Sequence, residues 1–132
     1  AQWNYRVLVI TGPVDDLGYV EQVEALEESY EGMEERLLIP VHYKDRSVKK
    51  IEGLSPFEFR YKRVLKKTSE QRYMQRRLGG SEGAVDDDVF SVILIGLDGE
   101  VKRVWRDDVV EPREIFDTID EMPIRQRQLE EQ

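Results

Sequence analysis

A chain of 132 residues, 39% hydrophobic and 36% charged, is long enough to bury one sizeable core. It contains no cysteine, which excludes thiol catalysis, disulfides and thiolate metal sites, and no apolar run reaches the roughly 18–20 residues of a membrane span. The net charge of −8 is unevenly spread, because Lys44 to Arg77 holds twelve Lys or Arg against four Asp or Glu. That stretch is therefore +8 and the remainder −16, a pattern that indicates a polyanion-binding face.

The first part of the chain predicts a strand followed by a helix. Tyr5 to Thr11 is a continuous apolar run, typical of a buried strand, and Gly12-Pro13 ends it. Asp15 or Asp16 is expected to cap the helix that follows. Gly32 is the expected C-terminal stop of that helix, in the left-handed conformation that glycine tolerates.

The next part predicts a second strand and a basic insertion. Arg36 to Tyr43 has strand character, and its Pro40 cannot donate a ladder hydrogen bond, so we expect this strand at a sheet edge. After a basic loop, Ser47 to Glu52 and Phe57 to Leu65 are predicted to form a hairpin or ribbon, because Phe and Tyr alternate with charged residues at period two.

The second half predicts a short helix, a hairpin and a last helix. The short helix starts at Thr68 or Ser69. Val89 to Trp105 contains an unbroken apolar strand, a tight two-residue turn at Asp98-Gly99, and a return strand near an edge. Pro112 suits the first turn of the last helix. The apolar stripe of that helix consists of Ile115, Phe116, Ile119 and Met122.

The element order β, α, β, insertion, α, β, β, α predicts the fold class α/β with a thioredoxin-like, three-layer arrangement. The mixed sheet is expected to have about four strands with flanking helices and a basic insertion. A small flavodoxin-like sheet is the alternative, but it would need another helix between the last two strands. Residues 1–132 are predicted to form a single domain, with the insertion at about 44–67 and a charged C-terminal tail at 123–132.

The two halves of a thioredoxin-type redox site are missing. Such an enzyme places its reactive cysteine after the first strand, at a helix N-terminus, and a proline just before the third core strand. The first place here reads Thr11-Gly12-Pro13-Val14-Asp15-Asp16, and the second reads Asp86-Asp87-Asp88-Val89. Thiol redox activity is therefore not expected.

Other catalytic patterns are weak. His42 is the only histidine, and we expect it to be a half-exposed structural residue on an edge strand. Neither GxSxG nor GxxxxGK[ST] occurs. The run Asp86-Asp87-Asp88 lacks the spacing of a calcium loop and is interpreted as a solvated acidic loop. No metal site and no cofactor are predicted.

The basic segment carries the sharper hypothesis, that clustered cations hold a sulfated polyanion through salt-sensitive electrostatics. Nucleic acid is the less favoured polyanion, because the acidity of the rest of the chain opposes it. The alternative is that these charges pair with the acidic remainder and solubilise a protruding insertion. The predicted polyanion-binding residues are Lys49, Lys50, Arg60, Lys62, Arg63, Lys66, Lys67, Arg72, Arg76 and Arg77.

Three stretches carry a resemblance to a known family: RVLVITGPVDDLGYVEQVEAL, FSVILIGLDGEVKRVW and EPREIFDTIDEMPIRQRQLEEQ. They resemble the domain of unknown function shared by bacterial secreted proteins and animal matrix proteins, including equarin and the sushi-repeat-containing proteins. The short Gly12-Pro13 turn, Tyr19 and Gln22 match that family's pattern. Residues from about Lys44 to Asp88 match poorly.

The resemblance implies a thioredoxin-like fold without its redox site, and a secreted, extracellular or periplasmic setting. Animal members act in the extracellular matrix, in adhesion and ligand binding, some with glycosaminoglycan affinity. Their domains usually carry cysteines, and this chain has none. Relatives often have Ser or Thr before the last helix, where this chain has Glu111, a weaker N-cap.

We therefore expect a non-enzymatic binding or adhesion module with heparin-binding character, whose partner is a sulfated polysaccharide or a matrix protein. One alternative is an enzyme with a carboxylate-lined pocket formed by Asp15, Asp16 and Asp98, with His42 nearby. Another is a protein–protein interaction module that docks a partner on an exposed edge strand or on the tail at residues 123–132.

Overall fold

The computed structural model describes residues 5–45, 47–51, 86 and 88–131. These residues form five strands and four helices. In chain order the elements are β1 (Arg6–Thr11), α1 (Leu17–Glu28), α2 (Tyr30–Glu35), β2 (Leu38–Lys44), β3 (Ser47–Lys50), β4 (Ser91–Ile95), β5 (Val101–Arg106), α3 (Pro112–Asp120) and α4 (Pro123–Glu130). The ribbon predicted at Phe57 to Leu65 and the helix predicted from Thr68 or Ser69 lie outside the described residues.

The strands form one mixed sheet in the order β3-β2-β1-β4-β5. Strands β1 and β2 are parallel, as a strand–helix–strand unit requires, and the other three pairs are antiparallel. The predicted α/β class and mixed sheet are confirmed. The sheet has five strands rather than about four, because Ser47–Lys50 at the start of the basic insertion adds β3 to the edge beside β2.

The register of the strands shows which residues share a face of the sheet. Arg6, His42 and Trp105 fall on the same face, and helices α4, α1 and α3 respectively contact them there. Val9 and Ile93 on the opposite face are just as deeply buried. The inner strands are therefore covered on both faces, which is why they are continuously apolar in sequence.

Pro40 does not place β2 at a sheet edge, and that prediction is wrong. Strand β2 lies between β1 and β3. Its ladder with β3 joins Val41–Lys44 to Ser47–Lys50, and Pro40 precedes the first of these pairs. A proline is tolerated in an inner strand here because the described ladder on that side begins one residue later.

Gly32 does not stop the first helix, so that prediction is also wrong. The helix ends at Glu28, and Gly32 lies inside α2. A Cβ at this position would come within 2.6 Å of the Phe116 ring, so the glycine permits close packing of α2 against α3. The left-handed residue is Leu37, with φ of 52°, directly after the C-cap of α2.

The hairpin between β4 and β5 is confirmed, but its turn is longer than predicted. The amide of Gly99 donates to the carbonyl oxygen of Gly96 at 2.9 Å, and that of Gly96 donates to the carbonyl oxygen of Glu100 at 3.0 Å. Gly99 has φ of 79°, and a bulge falls between Leu94 and Ile95. This is the three-residue loop in which a turn is followed by a left-handed glycine.

The C-terminal part forms two packed helices. Pro112 lies in the first turn of α3, as predicted, and Glu111 makes no side-chain cap bond. Ile115 and Ile119 of the predicted stripe are fully buried. The predicted charged tail forms α4, whose Arg125 is also buried. Across the described residues, no helix has the length and hydropathy of a membrane span.

Candidate functional site

The carboxyl end of β1, called here the upper end of the sheet, is where a thioredoxin-type enzyme would hold its thiol. Gly12 adopts φ of 104°, and a Cβ on it would lie 2.9 Å from the backbone nitrogen of Phe90. The turn after β1 therefore packs directly against the chain that enters β4. Glycine is required on both counts, because another residue would be strained and would also clash.

Asp16, rather than Asp15, caps the helix that leaves this turn. One carboxylate oxygen of Asp16 accepts hydrogen bonds from the amide of Gly18 at 2.9 Å and from that of Tyr19 at 3.3 Å. The carboxylate thus satisfies two of the free amides at the N-terminus of α1 and complements the helix dipole. Helix capping is therefore a sufficient structural reason for an aspartate at position 16.

Two buried hydroxyl groups link β1 to β4 at the upper end. Thr11 donates from Oγ1 to the carbonyl oxygen of Val89 at 2.7 Å, and its Oγ1 lies 2.6 Å from Oγ of Ser91. Since the Thr11 proton goes to the carbonyl, Ser91 donates to Thr11. Both hydroxyls are satisfied locally.

His42 is buried rather than half-exposed, so the expectation for its exposure is wrong. Its Nε2 lies 2.8 Å from the carbonyl oxygen of Gly12, which can only accept, so Nε2 carries a proton. The Tyr19 ring packs edge-on against it, with centroids 4.9 Å apart, and burial raises the pKa of Tyr19. The cause of the burial is the position of His42 on an inner strand beneath α1.

The three carboxylates of the proposed catalytic pocket do not converge. Asp15 and Asp16 follow the last residue of β1, whereas Asp98 lies in the hairpin beyond β4, which runs antiparallel to β1. The six residues of β1 separate the two places by roughly 20 Å. Asp98 is bound instead by Lys102 and by the amide of Glu100. The pocket hypothesis is therefore wrong for these residues.

The described part of the acidic loop before β4 is held by local hydrogen bonding and by an ion pair to the end of β2. Asp86 accepts the amide of Asp88, and the carboxylate of Asp88 forms an ion pair with Lys44. Asp87 lies outside the described residues. In the part of the chain that the structure describes, no three His, Cys, Asp or Glu side chains are grouped as metal ligands would be.

A group of charged side chains at the opposite end of β1, called here the arginine cluster, was not expected from the sequence. It consists of Arg6, Arg36, Arg125, Asp120 and Glu35. Asp120 accepts from Arg36 at 2.9 and 3.0 Å and from Arg125 at 3.3 Å. Arg125 also reaches Glu35 at 3.3 Å, so the cluster joins α2, α3 and α4.

Burial and charge shift the pKa values in this cluster. Burial is the largest effect that lowers the pKa of Arg6, and the positive charge of Arg125 is the second. The negative charge of Asp120 acts in the opposite direction, and the resulting pKa is about 10. Arg6 donates to the carbonyl oxygen of Arg36 at 2.7 Å, and its buried Nε has no hydrogen-bond partner. Partial burial alone would raise the pKa of Asp120, but the bonds and charges of Arg36 and Arg125 hold it below 3.8.

The sequence gives little signal for this cluster. Arg6 opens an apolar strand and Arg125 lies in a run of polar residues, so both would be assigned to solvent. The usable signal is spacing: Arg36 directly follows Glu35 at the end of α2, and Arg125 follows Asp120 by five residues at the start of α4.

Most of the predicted polyanion-binding residues lie outside the described part of the chain. The described ones are Lys49, which is exposed on β3, and Lys50, whose backbone pairs with Val41. The residues outside it are Arg60, Lys62, Arg63, Lys66, Lys67, Arg72, Arg76 and Arg77.

Comparison with known proteins gives a family and a fold. A family model described as a domain of unknown function (DUF4174) matches residues 1–128. Comparison with curated proteins gives no match. The crystal structure of reduced 2-Cys peroxiredoxin from Plasmodium vivax is similar at 14% identity and a TM-score of 0.52, covering 95% of this chain and 80% of that chain. At that identity the likeness establishes the thioredoxin-like fold. The absence of cysteine rules out thiol chemistry for this chain.

Proposed function

We propose that this chain, which belongs to the DUF4174 family, is a non-enzymatic binding module that holds sulfated polyanions. The proposed setting is secreted, extracellular or periplasmic, where such a module serves adhesion to a matrix. The proposed contact surface is the basic segment Lys44 to Arg77 and, within it, the ten cations predicted from the sequence.

The observation that carries this proposal is the separation of charge along the chain. A segment of net charge +8 is inserted in a chain whose remainder is −16. Strand β3 lies within this segment at the sheet edge, and Lys49 is exposed there. The acidic face of α1, in contrast, carries four Glu and no cation. Segregated cations can engage a polyanion, whereas interspersed charges would cancel.

The chemistry at the upper end agrees with a non-enzymatic role. Thr11, Ser91 and His42 are all bonded to their neighbours or to backbone carbonyls. A nucleophile normally has a base within hydrogen-bond reach, and here the described bonds of His42 and Thr11 lead to different carbonyls. The carboxylates of the alternative pocket, Asp15 and Asp16 on one side and Asp98 on the other, lie at opposite ends of the sheet.

Heparin-affinity chromatography with a salt gradient tests the proposal. The wild-type chain is expected to be retained and to elute at a salt concentration set by the number of cations engaged. Neutralising Arg60, Lys62 and Arg63 together is expected to lower that concentration. The matched control neutralises Lys102, Arg103 and Arg106 of the edge strand β5, which changes the net charge by the same amount outside the basic segment. Flow-through of the wild type at low salt, or equal shifts for both triple variants, contradicts the proposal.

A further inference from the structure

Four large apolar side chains, named here the apolar patch, are exposed around the upper end of the sheet. Val14, Leu17, Val20 and Val89 keep 62%, 71%, 37% and 46% of their surface accessible. They account for most of the exposed large apolar side chains among the described residues. Exposed apolar groups that gather at one place, rather than lying singly, mark interaction surfaces.

Two touching segments bring the patch together. A Cβ on Gly12 would lie 3.2 Å from the carbonyl carbon of Val89, and one on Gly18 would lie 2.7 Å from the Phe90 ring. The segment that leads into α1 therefore packs against the segment that leads into β4. Leu17 begins α1 and Val20 lies three residues further on, so their side chains share one side of the helix.

The surface that continues from the patch along α1 is acidic. Glu21 and Glu24 follow Leu17 at helical spacing, four and seven residues on, so they extend the same stripe. The helix contains no Lys or Arg, and exposed Asp15 lies at its start. Helix α1 therefore exposes apolar side chains at its N-terminal end and a row of carboxylates further along the same side.

We propose that the apolar patch and the glutamates of α1 dock a cationic amphipathic segment of a partner protein. Its apolar side chains would cover Leu17, Val14 and Val89, and its Lys or Arg would face Glu21 and Glu24. Charge complementarity selects this occupant, because an acidic segment or an anionic lipid surface would be repelled by the same row. The proposal is independent of polyanion binding, which uses cations elsewhere in the chain. Together the two surfaces would let one domain bridge a sulfated polymer and a basic protein.

Fluorescence anisotropy with two labelled peptides tests the docking surface on the full chain. One peptide carries Leu and Lys at amphipathic helical spacing, and the other has Glu in place of every Lys. The Leu/Lys peptide is expected to bind and the Leu/Glu peptide is not. Leu17→Ser is expected to weaken binding about tenfold, as loss of a central apolar contact does. The control Leu129→Ser removes an exposed leucine of α4, outside the patch, and should leave affinity unchanged.

The double variant Glu21→Gln, Glu24→Gln measures the electrostatic contribution to the affinity. It should also weaken binding of the Leu/Lys peptide. Leu17 is too exposed to support the fold, so an unchanged Tm of Leu17→Ser will show that the loss is local. Three outcomes overturn the proposal: no binding of the Leu/Lys peptide, equal binding by wild type and Leu17→Ser, or equal binding of both peptides. Sedimentation that shows a wild-type dimer dissolved by Leu17→Ser would overturn it too, because a second copy would then occupy the patch.

Discussion

At the carboxyl end of β1 the buried hydroxyls of Thr11 and Ser91 bond to one another and to the backbone, whereas at its amino end three arginines gather around Asp120 and Glu35. The first end is where thioredoxin-type enzymes hold their redox site, and in this chain the Gly12 turn packs closely against the backbone of Phe90 at that place. At the second end, ion pairs join three helices to one another, and Arg6 of β1 links them to the sheet by donating to the carbonyl oxygen of Arg36. Position on a shared scaffold therefore does not transfer function, which has to be argued from the side chains present.

The largest expected effect comes from opening the arginine cluster. Arg125→Ala removes the hydrogen bonds that join α4 to Asp120 of α3 and to Glu35 of α2. Glu35 and Asp120 keep their ion pairs with Arg36. We expect the free energy of unfolding to fall by about 3 kcal/mol, because the variant removes a buried side chain together with its packing and its charged hydrogen bonds. Urea denaturation measures it. Arg127→Ala, on the exposed side of the same helix, should cost no more than about 0.5 kcal/mol. Equal losses would mean that the cluster does not hold the helices.

At the upper end of the sheet, backbone strain rather than loss of charge is expected to lower the stability of the fold. Gly12→Ala imposes a side chain at φ of 104° and 2.9 Å from the Phe90 backbone nitrogen, so we expect a loss of about 2–3 kcal/mol. Gly96→Ala is the matched control, because its nearest contact is the flexible end of Lys102. Thermal denaturation of both variants compares them. A Gly12 variant as stable as the Gly96 variant would contradict the close packing described here.

A smaller effect is expected from the neutral hydroxyl pair. Thr11→Val leaves the Ser91 hydroxyl and the Val89 carbonyl without their bonds, which should cost about 1–2 kcal/mol. In a double-mutant cycle with Ser91→Ala, the double variant should cost clearly less than the sum of the single variants. Strict additivity would show that the two hydroxyls do not act together.

The smallest effect is the acid dependence of the arginine cluster. Burial alone would raise the pKa of Asp120, but Arg36 and Arg125 together lower it from 3.8 in the folded chain. Its contribution to stability is therefore complete above about pH 5 and is lost progressively as the pH falls through 3.8 and then through the folded pKa. Between about pH 5 and about pH 2, the stability difference between wild type and Asp120→Asn should therefore shrink. The control is Asp117→Asn, an exposed residue of the same helix. A constant difference across this range would contradict the pairing of Asp120.

The sheet was predictable because its signals are local. The apolar runs gave β1 and β4, Asp98-Gly99 located the hairpin, and Pro112 located the start of α3. The errors at Pro40 and Gly32 share a cause. Each residue was assigned from its backbone propensity alone. Residues distant in sequence decide the outcome, because β3 pairs with β2 only from Val41 onward and the Phe116 ring packs against Gly32.

The candidate sites were less predictable for the same reason. Alternation placed His42 on a strand, but only the position of that strand in the sheet made it buried. The arginine cluster joins residues up to 90 positions apart, so no short-range pattern announces it. The basic segment is the converse case, since its charge is plain in the sequence and its function stays a prediction.

The most direct test of the central claim is an NMR titration of the full chain with a size-defined heparin oligosaccharide. We predict amide shifts that begin at Lys49 and Lys50 and continue through the basic segment to Arg77, that weaken with added salt, and that leave Leu17 of the apolar patch and Arg125 of the arginine cluster unmoved. Shifts centred on Arg36 and Arg125, or no shifts at low salt, would contradict the claim that the basic segment is a polyanion-binding surface.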